Sequence, residues 1–169
     1  MSPTNAALDK VILFLDIDGV LNSLGSVLAL GDPSHHLDPV SVGLMARLCQ
    51  ETDAKIVVSS TWRIGRTVEM LKNELDKLGA HKVADRIIDR TKDFRAIRGK
   101  QIAQWIEDNA FEGRYVIVDD DSDMLPEQKP YFVHTSWEDG FKAKHYRDAL
   151  KILKPEHADS KIILMADSA

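Results

Sequence analysis

Val11-Ile12-Leu13-Phe14-Leu15-Asp16-Ile17-Asp18-Gly19-Val20-Leu21-Asn22 is the stretch from which the rest of the chain is read. Five apolar residues run into two aspartates one residue apart, and a glycine follows. A short unbroken apolar run is the pattern of a strand covered on both faces, as in a parallel sheet. Carboxylates are costly to desolvate inside such a strand. Asp16 and Asp18 therefore belong at its C-terminal end, the edge at which open α/β sheets bind ligands. Gly19 permits a sharp turn there, because glycine takes positive φ without steric cost.

Moving outward, residues 23–37 carry Gly25, Gly31, Pro33, His35 and His36 around one apolar patch, Val27 to Leu30. This pattern predicts a loop or small flap over the strand end, with the histidines on its surface. Asp38-Pro39 reads as a helix N-cap and first helical residue, opening a helix to about Glu51. A second strand, Lys55 to Ser60, ends in Ser59-Ser60-Thr61-Trp62-Arg63. Residues 66–78 predict a helix closed by Gly79. Val83 to Ile88 predicts a third strand, and Arg98 to Asn109 a helix with Ile102, Trp105 and Ile106 inward. A fourth strand, Tyr115 to Val118, ends in Asp119-Asp120-Asp121-Ser122-Asp123. Tyr131 to His134 predicts a fifth strand, Phe141 to Leu153 a helix, and Lys161 to Met165 an added edge strand.

Strands alternating with helices imply an α/β fold, a mostly parallel sheet with helices on both faces. Three polar strand ends then share one edge. Each has an ordinary reading alone: a turn at Asp16/Asp18, a helix cap at Ser59/Ser60, an acidic turn or Ca²⁺ loop at Asp119 to Asp123. Convergence favours phosphoryl-transfer chemistry.

The length of 169 residues fits one domain, expected over 10–169 after a flexible lead-in at 1–9. The net charge of −5 opposes broad non-specific nucleic-acid binding, yet leaves room for a small basic pocket. Cys49 is the only cysteine, which excludes an intrachain disulfide and places it in a helical core pattern. No apolar run approaches the ~20 residues that span a bilayer, so no membrane partner and a cytoplasmic location are expected.

Clustered carboxylates repel one another, and a bound cation relieves them. All-oxygen ligands suit a hard ion such as Mg²⁺. One carboxylate can act as nucleophile and give an aspartyl-phosphate. A second can protonate the leaving oxygen and then activate water. Hydroxyls and a cationic side chain would hold the non-bridging oxygens.

On these residues the chain resembles the haloacid dehalogenase-like (HAD) superfamily. Asp16-Ile17-Asp18-Gly19-Val20 matches its first motif, Ser59 or Ser60 its second, Arg98 or Lys100 its third, and Val116-Ile117-Val118-Asp119-Asp120 its fourth. The resemblance implies a Rossmann-like core with strand order 5-4-1-2-3 and a minimal cap at 23–37. It implies Asp16 as nucleophile and Asp18 as general acid/base. Mg²⁺ would be held by Asp16, the backbone carbonyl of Asp18, and Asp119 or Asp120. Ser59-Ser60-Thr61-Trp62-Arg63 and the Asp119-Asp120-Asp121 run are similar to capless HAD domains predicted to act in RNA repair. They are also similar to the 3′-phosphatase domains of polynucleotide kinase–phosphatases. In that outline Arg63 binds substrate phosphate, while Trp62 reads as packing. The implied substrate is a nucleic-acid end, a nucleotide or a small phosphomonoester. The alternative is a signalling phosphoacceptor or a non-catalytic Mg²⁺-binding domain. A response-regulator reading finds a poor acceptor context at Ile87-Ile88-Asp89 and no lysine after Tyr131 to Thr135.

Overall fold

Side chains alternate across a strand, so the run Val11–Leu15 has two apolar faces to cover. A computed structural model, describing residues 10–156, shows how both are covered. Strand β1 (Val11–Leu15) pairs in parallel with β2 (Lys55–Val58) on one side and β4 (Arg114–Asp119) on the other. Strands β3 (Ile87–Arg90) and β5 (Phe132–His134) complete the sheet, in the order β3-β2-β1-β4-β5 with every pairing parallel. This is the expected 5-4-1-2-3 order, read from the opposite edge.

Leu13 and Leu15, with Ile56, Val58, Val116 and Val118, face one core. Helices α2 (Pro39–Thr52), α3 (Val68–Lys77) and α6 (Ala143–Leu153) cover it with Met45, Leu48, Leu71, Leu75, Leu150 and Leu153. Ile12, Phe14, Val57 and Ile117 face the other core, covered by Ile102 and Trp105 of helix α5 (Arg98–Asp108). Phe14 meets Trp105 and Tyr115 edge-on at centroid distances of 5.4 and 5.8 Å, the geometry that ring quadrupoles favour. Leu13, Phe14 and Leu15 are fully buried, and each contributes about 2 kcal/mol through lost apolar surface. Cys49 lies in the first core, where burial pushes its thiol up to about 12.

Two expectations are corrected. The 23–37 segment is not irregular throughout: Leu24–Leu30 forms helix α1. Ser23 caps it, accepting from the Ser26 backbone, while the Ser26 hydroxyl accepts from the Ser23 backbone. A serine here does the work of the usual Glu or Gln of a capping box. The third strand begins at Ile87 rather than Val83, because His81–Ala84 form a short helix, α4. Val83, Ala84 and Ile87 are buried while Ile88 is half exposed. That is the spacing of a helical turn leading into a strand, not of one continuous strand. The helix ends at Asp38-Pro39 and Gly79 stand as expected. The expected lead-in at 1–9 and edge strand at 161–165 lie outside the described residues. No helix among the described residues is long and apolar enough to cross a membrane.

Candidate active site

The chain passes from β1 to β2 on one side and later from β3 to β4 on the other. The sheet therefore has a topological switch point beside β1, where α/β folds hold ligands. Leu15 lies opposite both Val58 and Val118. One residue further on, Asp16 stands between Ser59 and Asp119. The Asp16 backbone N–H donates to the Val118 carbonyl at 3.0 Å, and the Ser59 N–H donates to the Leu15 carbonyl at 2.9 Å. The register thus aligns the three predicted strand ends.

Asp16 and Asp119 are buried, Asp120 is partly so, and each offers an oxygen within 4.8 Å of the others. The Arg98 guanidinium donates from Nη1 to Asp119 Oδ2 at 3.0 Å and to Asp16 Oδ1 at 3.4 Å. Burial first, then the charge of Asp16, pushes the Asp119 carboxyl up to about 8 against the pull of Arg98. Burial, then a hydrogen bond with Asp16 and its charge, pushes Asp120 up to about 6. Were all three carboxylates ionised, one guanidinium would leave two negative charges uncompensated. An all-oxygen donor set with that deficit fits a hard divalent cation such as Mg²⁺.

The turn after β1 is shaped around these acids. Gly19 has φ +74°, and a Cβ there would sit 2.2 Å from Asp120 Oδ2. Glycine is required both by the backbone and by the carboxylate passing over it. The Gly19 N–H donates to Asn22 Oδ1 at 3.0 Å, and the Thr135 hydroxyl donates to the Gly19 carbonyl at 2.7 Å. The Asp18 carboxylate is not part of the three-acid group. It accepts from Asn22 Nδ2 at 2.8 Å and from Trp62 Nε1 at 3.0 Å.

The two serines separate. Ser60 Oγ accepts from the Trp62 backbone at 3.3 Å and caps the 3₁₀ turn Thr61–Arg63. Ser59 Oγ is fully buried with no hydrogen-bond partner, a donor left over at the strand end. Of the two cations opening α5, Arg98 reaches the acids while Lys100 is exposed. Arg98 is held by its backbone, whose N–H donates to Asp123 Oδ2 at 3.0 Å in place of a local cap. Gly99 lets that helix start press against the following loop, since a Cβ there would lie 2.6 Å from the Leu125 nitrogen.

Arg63 is a correction. Its side chain is 2% exposed, and its nitrogens bind the protein itself. Nε donates to the Thr91 carbonyl at 3.0 Å, and Nη1 to the Ser59 and Ser60 carbonyls at 3.0 and 2.8 Å. Nη2 donates to Gln101 Oε1 at 2.7 Å. Arg63 ties the ends of β2 and β3 to α5 and has no free edge for a phosphate. Trp62 is also more than packing, since its indole N–H holds Asp18. Asn22, Trp62, Thr135 and Asp123 support the site without having been singled out as site residues in the sequence. Asn22, Trp62 and Asp123 lie inside the quoted motif stretches, whereas Thr135 carried no local signal.

The acids make a pH-dependent prediction. The folded-state values of Asp119 and Asp120 lie above the ordinary 3.8, so the folded protein binds these protons more tightly than the unfolded chain. Stability contributed by the two is full at low pH and is lost as pH rises through about 6 and about 8. The melting temperature in EDTA is expected to fall between about pH 5 and about pH 8, and Mg²⁺ to raise it more at the higher pH. Thermal melts with and without Mg²⁺ at the two pH values check this; equal Mg²⁺ shifts would contradict it.

Among protein-family models, the one for the HAD domain in Swiss Army Knife RNA repair proteins matches residues 12–146. No curated protein and no solved structure matches the chain. Among the described residues the matched span takes in β1 from Ile12, the other four strands whole, and every acid of the site. The chain therefore belongs to the HAD superfamily, in the family of HAD domains of Swiss Army Knife RNA repair proteins, which points to a phosphatase-type enzyme.

Proposed function

We propose that the protein is a Mg²⁺-dependent phosphomonoester hydrolase that works through an aspartyl-phosphate on Asp16. One observation carries this reading. Asp16 stands among Arg98, Asp119 and Asp120, while Asp18, two residues on, is held apart by Trp62 and Asn22. Two carboxylates in unlike surroundings take unlike tasks.

Asp16 attacks phosphorus and the bond to the leaving oxygen breaks, with Asp18 giving that oxygen its proton. Water then attacks the phosphorus of the aspartyl-phosphate and Asp18 takes a proton from it. The Asp16–phosphorus bond breaks, and inorganic phosphate leaves. Arg98 and the unpartnered Ser59 hydroxyl would hold the non-bridging oxygens. Asp16, Asp119 and Asp120, with the Asp18 carbonyl that the family resemblance implies, would hold Mg²⁺, which would neutralise phosphoryl charge.

Two features support a phosphorylated nucleic-acid end or a nucleotide as substrate: the family's RNA repair description and the short 23–37 segment. The segment holds one seven-residue helix, and a cap that small suits a large substrate. The test is a panel with Mg²⁺: an aryl phosphate, nucleotides and a 3′-phosphorylated oligoribonucleotide. Release of inorganic phosphate that EDTA abolishes is expected, with the oligoribonucleotide among the better substrates. No release from any member would overturn the reading. Stable labelling of Asp16 without release would mark a phosphoacceptor instead.

A further inference from the structure

Asp18 is held at both oxygens. Asn22 Nδ2 donates to Oδ1 at 2.8 Å, and Trp62 Nε1 to Oδ2 at 3.0 Å. The two donors differ in what fixes them. Asn22 belongs to the same turn and would move with it. Trp62 lies 44 residues away, its backbone N–H bonded to Ser60 Oγ and its ring packed against the main core. Among the described residues, only Trp62 ties the Asp18 carboxyl to the body of the sheet.

Beside this contact lies a cavity of about 250 Å³, lined by Asp18, Trp62, Arg66, Glu74, Asp32 and Ser34 among others. Arg66 is immobilised on its far side, with Nη1 on the Trp62 carbonyl at 2.8 Å and Nε 3.0 Å from Glu74 Oε2. The residues of the three-acid group are not among its lining. A phosphoryl group at Asp16 would thus have this cavity on its Asp18 side.

We propose that Trp62 is a positioning residue: its indole N–H aims Asp18 at the leaving oxygen of a substrate whose leaving group enters this cavity, which the indole walls. The inference rests on the phosphomonoesterase reading above. Its chemistry is narrow. When the ester bond breaks, the leaving oxygen takes the Asp18 proton, and an alkyl alkoxide needs that proton far more than a nitrophenolate does. A lost aim therefore costs the two substrates unequally. A general loosening of the site costs them alike.

Trp62→Phe keeps a ring and removes the N–H. The measurement is kcat/KM, which reports only the steps through departure of the leaving group, on an alkyl phosphate and on 4-nitrophenyl phosphate, in variant and wild type. The expected loss is about 100-fold on the alkyl ester, and at least about tenfold smaller on the aryl ester, within the range that general acids supply. Equal losses, or no loss on either, would overturn the proposal. Should Trp62→Phe fail to fold, benzothienylalanine at position 62 replaces N–H by sulfur at nearly constant shape and gives the same readout. Wild type inactive on both esters and on every member of the panel above would sink the phosphatase reading itself, a distinct result.

Discussion

Asp16→Asn is expected to lower turnover at least about 1,000-fold, the scale of loss when a covalent catalyst loses its nucleophile. The amide is nearly isosteric but does not attack phosphorus to form an acyl phosphate. It also removes one of the three carboxylates that would hold the cation. The same change should not unfold the protein. Asp16 raises both Asp119 and Asp120 by its charge, so the neutral amide relieves repulsion in the metal-free site. The melting temperature in EDTA near pH 8 is therefore expected to equal or exceed that of wild type. Initial rates on an aryl phosphate and a thermal melt of the same preparation check both halves. An inactive but unfolded variant would contradict the electrostatic account, and a folded, active one would contradict the assignment of the nucleophile.

The second large effect is on stability. Arg63→Met is expected to cost about 3–5 kcal/mol, because removing one member of a buried charged network strands the groups it satisfied. Four acceptors lose a donor: the carbonyls of Ser59, Ser60 and Thr91, and Gln101 Oε1. Arg63→Lys is expected to rescue little, since one ammonium does not reproduce the planar fork that reaches all four. Urea denaturation of the two variants measures this. A phosphate-binding arginine would give the opposite pattern, with ordinary stability and a raised KM.

The contrast between Asp16 and Arg63 marks what the sequence could disclose. Asp16, Asp119 and Ser59 follow unbroken apolar strands, and parallel register alone places them side by side. Local pattern is enough when the sheet does the assembling. Arg63 was misread because two of its four partners are 28 and 38 residues away, at Thr91 and Gln101, and nothing local says that a guanidinium will be buried. Trp62 was half read for the same reason: its packing is a composition argument, but its bond to Asp18 spans 44 residues. Arg98 and Lys100 are equal candidates by type. Helix phase separates them, since two residues turn the side chain by about 200°. Ser59 and Ser60 are equal candidates until the 3₁₀ turn Thr61–Arg63 takes Ser60 as its cap. Helix α1 was hidden by a capping serine at Ser26 where the usual signature has Glu or Gln.

The central claim is that phosphate passes through Asp16. Acid quench of the protein during turnover of an aryl phosphate with Mg²⁺, borohydride reduction and tandem mass spectrometry of the peptides test it directly. The account predicts an acyl phosphate that reduction converts to homoserine at position 16 and at no other aspartate. Reduction at another aspartate, or turnover with no acyl phosphate at any time point, would contradict it.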